Sequence, residues 1–509
     1  MKMKPVKVSH STQARLVGHP HWDTVAFKQD VQNLIEKSED TITRLELQIQ
    51  DLATVDLRDQ EHDIIATLRD AIAPVRKLPV ELMAEIFLFA VYVRTTKRDS
   101  ATQLVKAVLR LSQVCTYWRH LAHSTPRLWA GCRKFELHPR ASRDPYLSLT
   151  KAWLERSAPL PNPIHLSIRI HLSGRDGAST APLTDVLLGI ANRWRALHWH
   201  TYTLAPLVQL SAGTLQNLET LYLDGGLIIG PQPKVTAFLT APRLRKATLH
   251  KIGNMELISM PWSQLTDISL NHESPKACLD VLLQYPSLSG RSETTTVLTQ
   301  LKTLELGFIP LGQGRSYFMP FFQHLNAPAL QALVMQLDSD LVWSTTEFTL
   351  FQLRSPRIQR LTINYSSLGS EHLRAALKHA RSLTHLRLFR CDRCVDNSLL
   401  DALRYSDLQT EPLAPNLRSL RWHSVSDAFE EELLEAMIRS RWWTDQQLRA
   451  LSPSRAPAVA RWKCVDVSKG VPGSRARKYS KKFLIGIREL RAEGLDVEID
   501  GDKPWLCDI

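Results

Sequence analysis

The sequence lacks any apolar run that approaches the roughly 20 residues that a membrane-spanning helix needs. Its densest apolar stretch, IFLFAVYV at 86–93, is far shorter. The first residues also lack the apolar core of a secretory signal. Seven cysteines in a chain of 509 residues are too few for a disulfide framework. These absences favour a reducing compartment, so we expect the cytoplasm or the nucleus and no contact with a membrane.

Signatures of catalysis are missing as well. The sequence has no phosphate-binding Walker loop, no Gly-x-Gly-x-x-Gly, no Gly-x-Ser-x-Gly and no His-Glu-x-x-His. Cys391 and Cys394 form a lone C-x-x-C without a second ligand pair nearby in the sequence, so we expect no metal there. The sequence therefore predicts a protein that is not an enzyme and that holds no cofactor.

The charge balance is basic, with 64 Lys and Arg against 51 Asp and Glu and a formal net charge of +13. Such a balance permits contact with nucleic acid or with an acidic partner. The basic residues are spread along the chain, and the one compact cluster, SRARKYSKK at 474–482, is typical of a solvated loop. We therefore expect that nucleic acid is not the partner. Binding to nucleic acid is kept as an alternative hypothesis because of the net charge alone.

A helical pattern begins after an expected flexible tail over residues 1–30. Apolar side chains then recur at three- and four-residue steps, at Val31, Ile35, Ile42, Leu45, Ile49 and Leu52, with Ser38 as the one polar interruption. This spacing predicts an amphipathic helix or a short coiled coil over residues 31–73, which ends before Pro74. About three heptads allow either a dimeric coiled coil or a helix packed on its own chain.

A second helical segment starts beyond Pro74, where apolar residues recur at four-residue intervals. After a polar break, LVKAVLRLSQVCTYWRHLAHSTPRLW at 104–129 predicts a further helix with Cys115 and Trp118 on one apolar stripe. A unit of about 60 residues over 74–132 has more apolar surface than it can easily cover alone. We therefore expect a partner to cover the remainder.

Three motifs in this unit carry a family resemblance: LPVELMAEIF, then LSQVCTYWRHLA, then STPRLW. In this order they resemble an F-box. The arrangement of a helix that runs directly into this motif is similar to that in F-box proteins of mushroom-forming fungi. The resemblance implies binding to the Skp adaptor and the cullin of an SCF-type ubiquitin ligase. It implies an adaptor-binding face made of Leu78, Pro79, Leu82, Ile86, Val114, Cys115, Trp118 and Trp129. A plain helical module with a self-contained core is the alternative.

The rest of the chain repeats. Nine segments place an apolar residue before two more at plus three and plus five, and they start at Trp194, Leu218, Leu244, Leu265, Leu301, Leu330, Ile358, Leu383 and Leu417. The mean spacing of roughly 28 residues is typical of leucine-rich repeats. In a strand, the plus-three and plus-five side chains point to the same face, so stacking gives a parallel sheet with an apolar interior.

The chain thus resembles the leucine-rich-repeat class of F-box proteins over most of residues 190–500. The predicted fold is α/β: an N-terminal helix and a small all-α F-box, then an irregular leucine-rich-repeat solenoid with a parallel sheet. We expect residues 133–193 to be a linker and repeat N-cap. The solenoid with a C-terminal cap is expected to span 194–509.

The residue between the paired apolar positions should face outward on the concave side of the sheet. That column reads His198, Tyr222, Thr248, Ser269, Glu305, Val334, Thr362, Arg387 and Arg421. We predict that it binds a client protein and that the whole chain is the substrate receptor of an SCF-type ligase. The alternatives are a leucine-rich-repeat interaction scaffold without ligase activity, and a column that is only solvated sheet surface.

Overall fold

The computed structural model describes nineteen separate stretches of the chain. They are residues 25–47, 52–72, 78–94, 101–130, 134–137, 151–156, 166–172, 184–201, 203–225, 233–272, 274–283, 296–308, 318–337, 342–366, 368–407, 411–425, 429–450, 457–469 and 479–499. They belong to two compact units, Met1–Gly131 and Cys132–Ile509. Most of the basic cluster at 474–482 and most of the expected tail lie outside the described residues. In the described stretches no helix is both long and apolar enough to cross a membrane.

The first unit begins with a helical hairpin. Helix α1 spans Val25–Glu46 and helix α2 spans Leu52–Ile72. Their contact buries Val31, Ile35 and Ile42 of the predicted apolar stripe in a small core with Ile65 and Leu68. Leu45 is half-buried, and Ile49 lies outside the described residues. Where the sequence predicted one amphipathic helix or coiled coil over 31–73, the structure has two helices that pack on each other.

Four shorter helices complete this unit: α3 (Val80–Arg94), α4 (Ala101–Ser112), α5 (Thr116–Ser124) and α6 (Pro126–Ala130). Glu81 lies in the first turn of α3, where its charge is favourable to the helix dipole. The α3 side chains Met83, Phe87, Leu88 and Val91 are buried, together with Val108, Leu121, Leu128 and Trp129 from the other helices. This is the core of the module.

The prediction of one helix over 104–129 is wrong. The chain leaves the helix after Ser112 and starts α5 at Thr116, with Cys115 in extended conformation at the N-cap. Arg119 Nε donates to the Ser112 carbonyl at 3.1 Å, which satisfies an acceptor that the break leaves open. Cys115 therefore does not lie on a helical stripe.

The second unit is built on a parallel sheet of 13 strands. In chain order they are β1 (Lys134–Leu137), β2 (Leu166–Leu172), β3 (Trp194–Thr201), β4 (Thr220–Asp224), β5 (Lys246–His250), β6 (Asp267–Asn271), β8 (Thr303–Phe308), β10 (Ala332–Leu337), β11 (Arg360–Asn364), β12 (His385–Phe389), β13 (Ser419–Val425), β14 (Cys464–Lys469) and β15 (Asp496–Ile499). Each strand pairs with the one before it, which is the topology of a solenoid. A small second sheet joins β7 (Thr296–Val297) to β9 (Leu325–Asn326).

The nine predicted strands are all present, as β3 to β6, β8 and β10 to β13. Their paired apolar positions are buried, as the period-two pattern requires; in β4, for example, Leu221 and Leu223 are fully buried while Tyr222 between them is half-buried. At the C-terminal end, KKFLIGIRELRAEGLDVEIDG at 481–501 predicts a helix and then an alternating strand, and both are present, as Lys481–Ala492 and β15.

The predicted boundary at residue 194 is corrected, because β1 and β2 already belong to the same sheet. The segment YLSLTKAWLERSAPLPNPIHLSIRI at 146–170 predicts a helix, a Pro-rich turn and a strand within the expected linker. Strands β1 and β14 were not predicted. Strand β14 nevertheless carries the repeat signal, since Trp462 precedes Val465 and Val467 by three and five residues and all three are buried.

The chain returns between strands through short helices. They are α7 (Ala205–Val208), α8 (Pro275–Leu283), α9 (Pro320–Gln323), α10 (Thr345–Arg354), α11 (Ser370–Lys378), α12 (Asn397–Leu403), α13 (Glu431–Ser440), α14 (Asp445–Ala450) and α15 (Lys481–Ala492). Single 3-10 turns at Ala191–Arg193, Ala237–Thr240, Met255–Leu257 and Trp262–Gln264 replace helices in other repeats. EHLRAALKHA at 371–380 has the apolar spacing of a return helix, and α11 lies there, with Leu373, Ala376 and Leu377 buried.

A recurring turn ends several strands. Lys251, Tyr365 and Arg390 follow β5, β11 and β12 directly, and each has a positive φ of 50 to 55°. Their backbone N–H groups donate to a carbonyl near the end of the next strand, for instance from Tyr365 to Phe389 at 2.8 Å and from Arg390 to His423 at 2.9 Å. This hydrogen bond offsets the strain of the left-handed conformation and closes the sheet ladder.

Candidate functional site

Helix α3 has two apolar faces. Met83, Phe87 and Val91, at four-residue steps, are each 1% exposed and face the core of the module. Leu82, Ile86 and Phe89 share the other face, and their exposed fractions are 53%, 48% and 71%. A helix of this kind needs one face covered from outside its own core.

Val114 adds a further exposed apolar side chain, at 61%, in the turn between α4 and α5. The turn is held by backbone hydrogen bonds from Gln113 to Arg110 and from Val114 to Leu111, at 3.2 and 3.3 Å. The exposure of Val114 is therefore a consequence of the break between the two helices.

The remaining predicted adaptor-face residues are less exposed. Leu78, Cys115 and Trp118 are half-buried, and Pro79 is exposed. Trp118 packs against Phe87 with ring centroids 4.7 Å apart. Trp129 is 1% exposed and donates from Nε1 to the Ala122 carbonyl at 2.7 Å, so it stabilises the core rather than offering a contact surface.

The sequence-based face omits two exposed residues of α3. Phe89 lies seven residues after Leu82 on the same face, and Val80 is 48% exposed in the first turn. The helical spacing of Leu82, Ile86 and Phe89 was a sufficient signal for Phe89. We call Leu82, Ile86, Phe89 and Val114 the exposed apolar set.

The second surface is a row across the parallel sheet. The strand registers pair the predicted client-column residues one after the other, without a break, from His198 to Tyr222, Thr248, Ser269, Glu305, Val334, Thr362, Arg387 and Arg421. Each of them is half-buried or exposed. His198 and Tyr222 stack with ring centroids 5.5 Å apart. The structure therefore brings all nine residues into one line.

The row extends beyond the predicted column at both ends. After Arg421 the register continues to Asp466 and Glu498, and before His198 it begins with Glu136 and Arg169. The cations at the C-terminal end of the predicted column are thus followed by carboxylates. His423 lies on β13, the strand that carries Arg421, and its Nε2 is 3.0 Å from Asp466 Oδ2.

Charges in the N-terminal half of the sheet are paired with one another. The Asp224 carboxylate lies between His200 and His250, with Nδ1 to oxygen distances of 2.9 and 3.2 Å. Arg195 contacts Glu219 at 2.7 Å. The described residues contain no cluster of three or more His, Cys, Asp or Glu that is arranged to hold a metal ion.

Cations collect in the C-terminal half, around His385 on β12. Partial burial, followed by the charges of Arg360, Arg421 and Lys463, lowers the pKa of His385 below its usual value. Arg387 lies two residues further along the same strand and on the same face. We call Arg360, Arg387, Arg421 and Lys463 the cation cluster.

The C-x-x-C pair is part of the repeat core. Cys391 and Cys394 are both buried, and Cys391 Sγ donates to the Ile363 carbonyl at 3.3 Å. The hydrogen bond with Cys391, together with burial, raises the pKa of the Cys394 thiol. A buried thiol of this kind is an inert packing group.

Comparison with known families gives a match in the first unit. The family described as F-box-like matches residues 75–131. The match spans the helices α3 to α6. The match covers a small part of the chain. The fold of the remaining residues follows from the topology of the parallel sheet.

Comparison with whole proteins adds little. No curated protein matches the sequence. Among solved structures, one described as "Crystal structure of TLR13-ssRNA13 complex" is similar to this chain at 12% identity and a TM-score of 0.22. The similarity covers 62% of this chain and 54% of that one, about half of its length. These values are too low to bear on function.

Proposed function

We propose that this protein is a non-catalytic substrate receptor of an SCF-type ubiquitin ligase. The F-box-like module binds the Skp adaptor, which connects it to the cullin, and the concave face of the repeats binds a client protein. The exposed apolar set on a module that matches the F-box-like family is the observation that carries this proposal.

The proposed binding of the adaptor is supported by the exposed apolar side chains of the F-box-like module. Leu82, Ile86, Phe89 and Val114 are 48% to 71% exposed while the core side chains of the module are buried. Fully burying an exposed side chain of this kind contributes about 1.5 to 3 kcal/mol, and about half of that is still to be gained here when a partner covers each one. An apolar face of this composition is more stable in contact with a protein subunit than in contact with water.

The client-binding half rests on the sheet. A parallel solenoid presents one continuous row of outward side chains, and surfaces of this kind bind extended partners in repeat proteins. The row from His198 to Arg421 is chemically mixed, which suits recognition of one protein rather than a repetitive polymer.

The contribution to catalysis is proximity. A receptor that holds the client and the ligase together raises the effective concentration of a client lysine near the charged ubiquitin carrier. The chemical step belongs to other subunits. The likeness to receptors of mushroom-forming fungi and the placement in the cytoplasm or nucleus stay predictions.

Co-purification with a Skp-type adaptor tests the proposal. We expect the wild type to retain the adaptor and the double variant Leu82→Asp, Phe89→Asp to lose it. Trp118 is a poorer choice, because it packs on Phe87 and its replacement would also disturb the core. Leu34→Asp on α1 is the matched control, since Leu34 is 47% exposed outside the matched module. A wild-type chain that ignores the adaptor would remove the ligase proposal.

Affinity purification with mass spectrometry separates a receptor from a scaffold. If the protein delivers clients for ubiquitin transfer, clients accumulate on the double variant, because it binds them without passing them on. An interaction scaffold without ligase activity would give the same bound proteins in the same amounts with both chains.

A further inference from the structure

The charged residues of the concave face are distributed unevenly. In the N-terminal half Arg195, Lys246 and Asp224 each have an oppositely charged or histidine neighbour within 4.0 Å. In the C-terminal half, within the described part of the chain, no member of the cation cluster forms an ion pair with a carboxylate. The two halves therefore differ in what they offer to a ligand.

The cluster includes a donor that is buried and unused. The Nε atom of Arg387 is inaccessible to solvent and has no hydrogen-bond partner among the described residues. Buried polar groups in folded proteins are nearly always paired, so such an atom indicates a missing acceptor. Arg421 lies beside Arg387 in register, at a strand spacing of about 4.8 Å.

The cluster is short. It spans β11 to β14, three strand intervals or about 14 Å, which is the length of roughly four extended residues. Carboxylates lie beyond it on both sides, with Glu305 on β8 and with Asp496 and Glu498 on β15, while Asp466, the register neighbour of Arg421, lies within its edge on β14. A nucleic acid would run on into these negative charges, whereas a short acidic peptide segment fits between them.

We infer that the cation cluster is the specificity site of the concave face and that it binds a short Asp- or Glu-rich segment of a client protein. The inference rests on the proposed client-binding role of the repeats and narrows it to one half of the sheet. Guanidinium groups bind carboxylates through paired hydrogen bonds, so Arg387 and Arg421 would make the principal contacts.

Fluorescence anisotropy with the full-length chain tests the inference. The probe is a labelled peptide rich in Asp and Glu, and the comparison peptide has the same sequence with Asn and Gln. We expect binding of the acidic peptide only, weakened about tenfold by Arg387→Gln with Arg421→Gln. The matched control, Lys378→Gln with Arg488→Gln, removes the same charge from exposed positions on α11 and α15 and should leave the affinity nearly unchanged.

Three results would overturn the inference: no binding of the acidic peptide, an equal loss with both double variants, or tighter binding of a short single-stranded nucleic acid. The thermal unfolding midpoint of each variant shows whether it folds. Adaptor co-purification is measured on the same samples. A wild-type chain that binds the adaptor but not the acidic peptide contradicts this inference alone, and a wild-type chain that binds the peptide but not the adaptor contradicts only the proposed ligase role.

Discussion

Arg441 shows how much one side chain contributes to the repeat core. It is fully buried, and its guanidinium donates to the carbonyls of Leu403 and Ala414 at 3.0 Å each and to that of Leu413. Burial lowers the pKa of Arg441 to about 10, so the group stays charged at neutral pH. It joins three segments of the chain that secondary structure does not connect.

Replacing Arg441 with Met should therefore be severe. The variant removes a donor from three carbonyls, of which only that of Ala414 keeps a backbone hydrogen bond from a described residue, Leu417 N–H at 3.1 Å, and we expect the free energy of unfolding to fall by about 2 kcal/mol or more. Urea unfolding followed by circular dichroism measures the loss. Arg404→Met is the control. The Arg404 side chain is half-exposed, and its ion pair with Asp401, at 3.6 Å, lies on the surface, so this variant should change the free energy of unfolding by less than about 0.5 kcal/mol. Equal effects would refute this role.

The pKa of His385 reports the field of the cation cluster. Since the folded state lowers this pKa, the unfolded chain binds the proton first as the pH falls below about 6.5, and the site's contribution to stability decreases there. Lys463→Gln removes one nearby charge, so the pKa should rise towards its usual value in an NMR titration. Lys378→Gln should leave it unchanged. A pKa that does not respond to Lys463 would contradict the clustering.

At the scale of an element, helix α3 separates binding from folding. Met83→Ala removes a side chain that is 1% exposed, and we expect a loss of about 2 to 5 kcal/mol in the stability of the module. Leu82→Ala, on the opposite face, should change that stability by less than about 0.5 kcal/mol. Thermal unfolding compares the two. Similar losses would mean that Leu82 belongs to the core after all.

Part of this element could be read from the sequence. Leu82 and Ile86 recur at helical spacing, which places them on one face, but spacing alone does not say which face is inside. The break between α4 and α5 was missed because neither proline nor glycine marks it; a side-chain bond from Arg119 to the Ser112 carbonyl supports it. Val114 was placed correctly in the module, and its exposure depends on that break.

The strands were more predictable, because alternation needs only two apolar residues in the right frame. Inward positions such as Leu221 and Leu223 determine where Tyr222 points. Strand β14 was not predicted because Trp462, Val465 and Val467 occupy positions where leucine is usual.

Half of the cation cluster was predicted, since Arg387 and Arg421 are the cations at the C-terminal end of the predicted column. Arg360 and Lys463 could not be added from the sequence, because their position near His385 depends on strand register.

At the scale of the whole molecule, the chain has two compact units with different surfaces to offer. The first has an apolar face on α3 and the second has a polar row on a sheet of 13 strands. This division is what a receptor requires, because one surface must engage a constant subunit while the other selects a client. Substitutions on either surface should leave binding at the other one intact.

Titration calorimetry of the full-length chain with a purified Skp-type adaptor, at several temperatures, tests the central claim most directly. Burial of the exposed apolar set predicts binding with a negative heat-capacity change, and predicts that Leu82→Asp with Phe89→Asp abolishes it while Leu34→Asp does not. Absence of binding by the wild type, or binding that survives the double substitution on α3, would contradict the account.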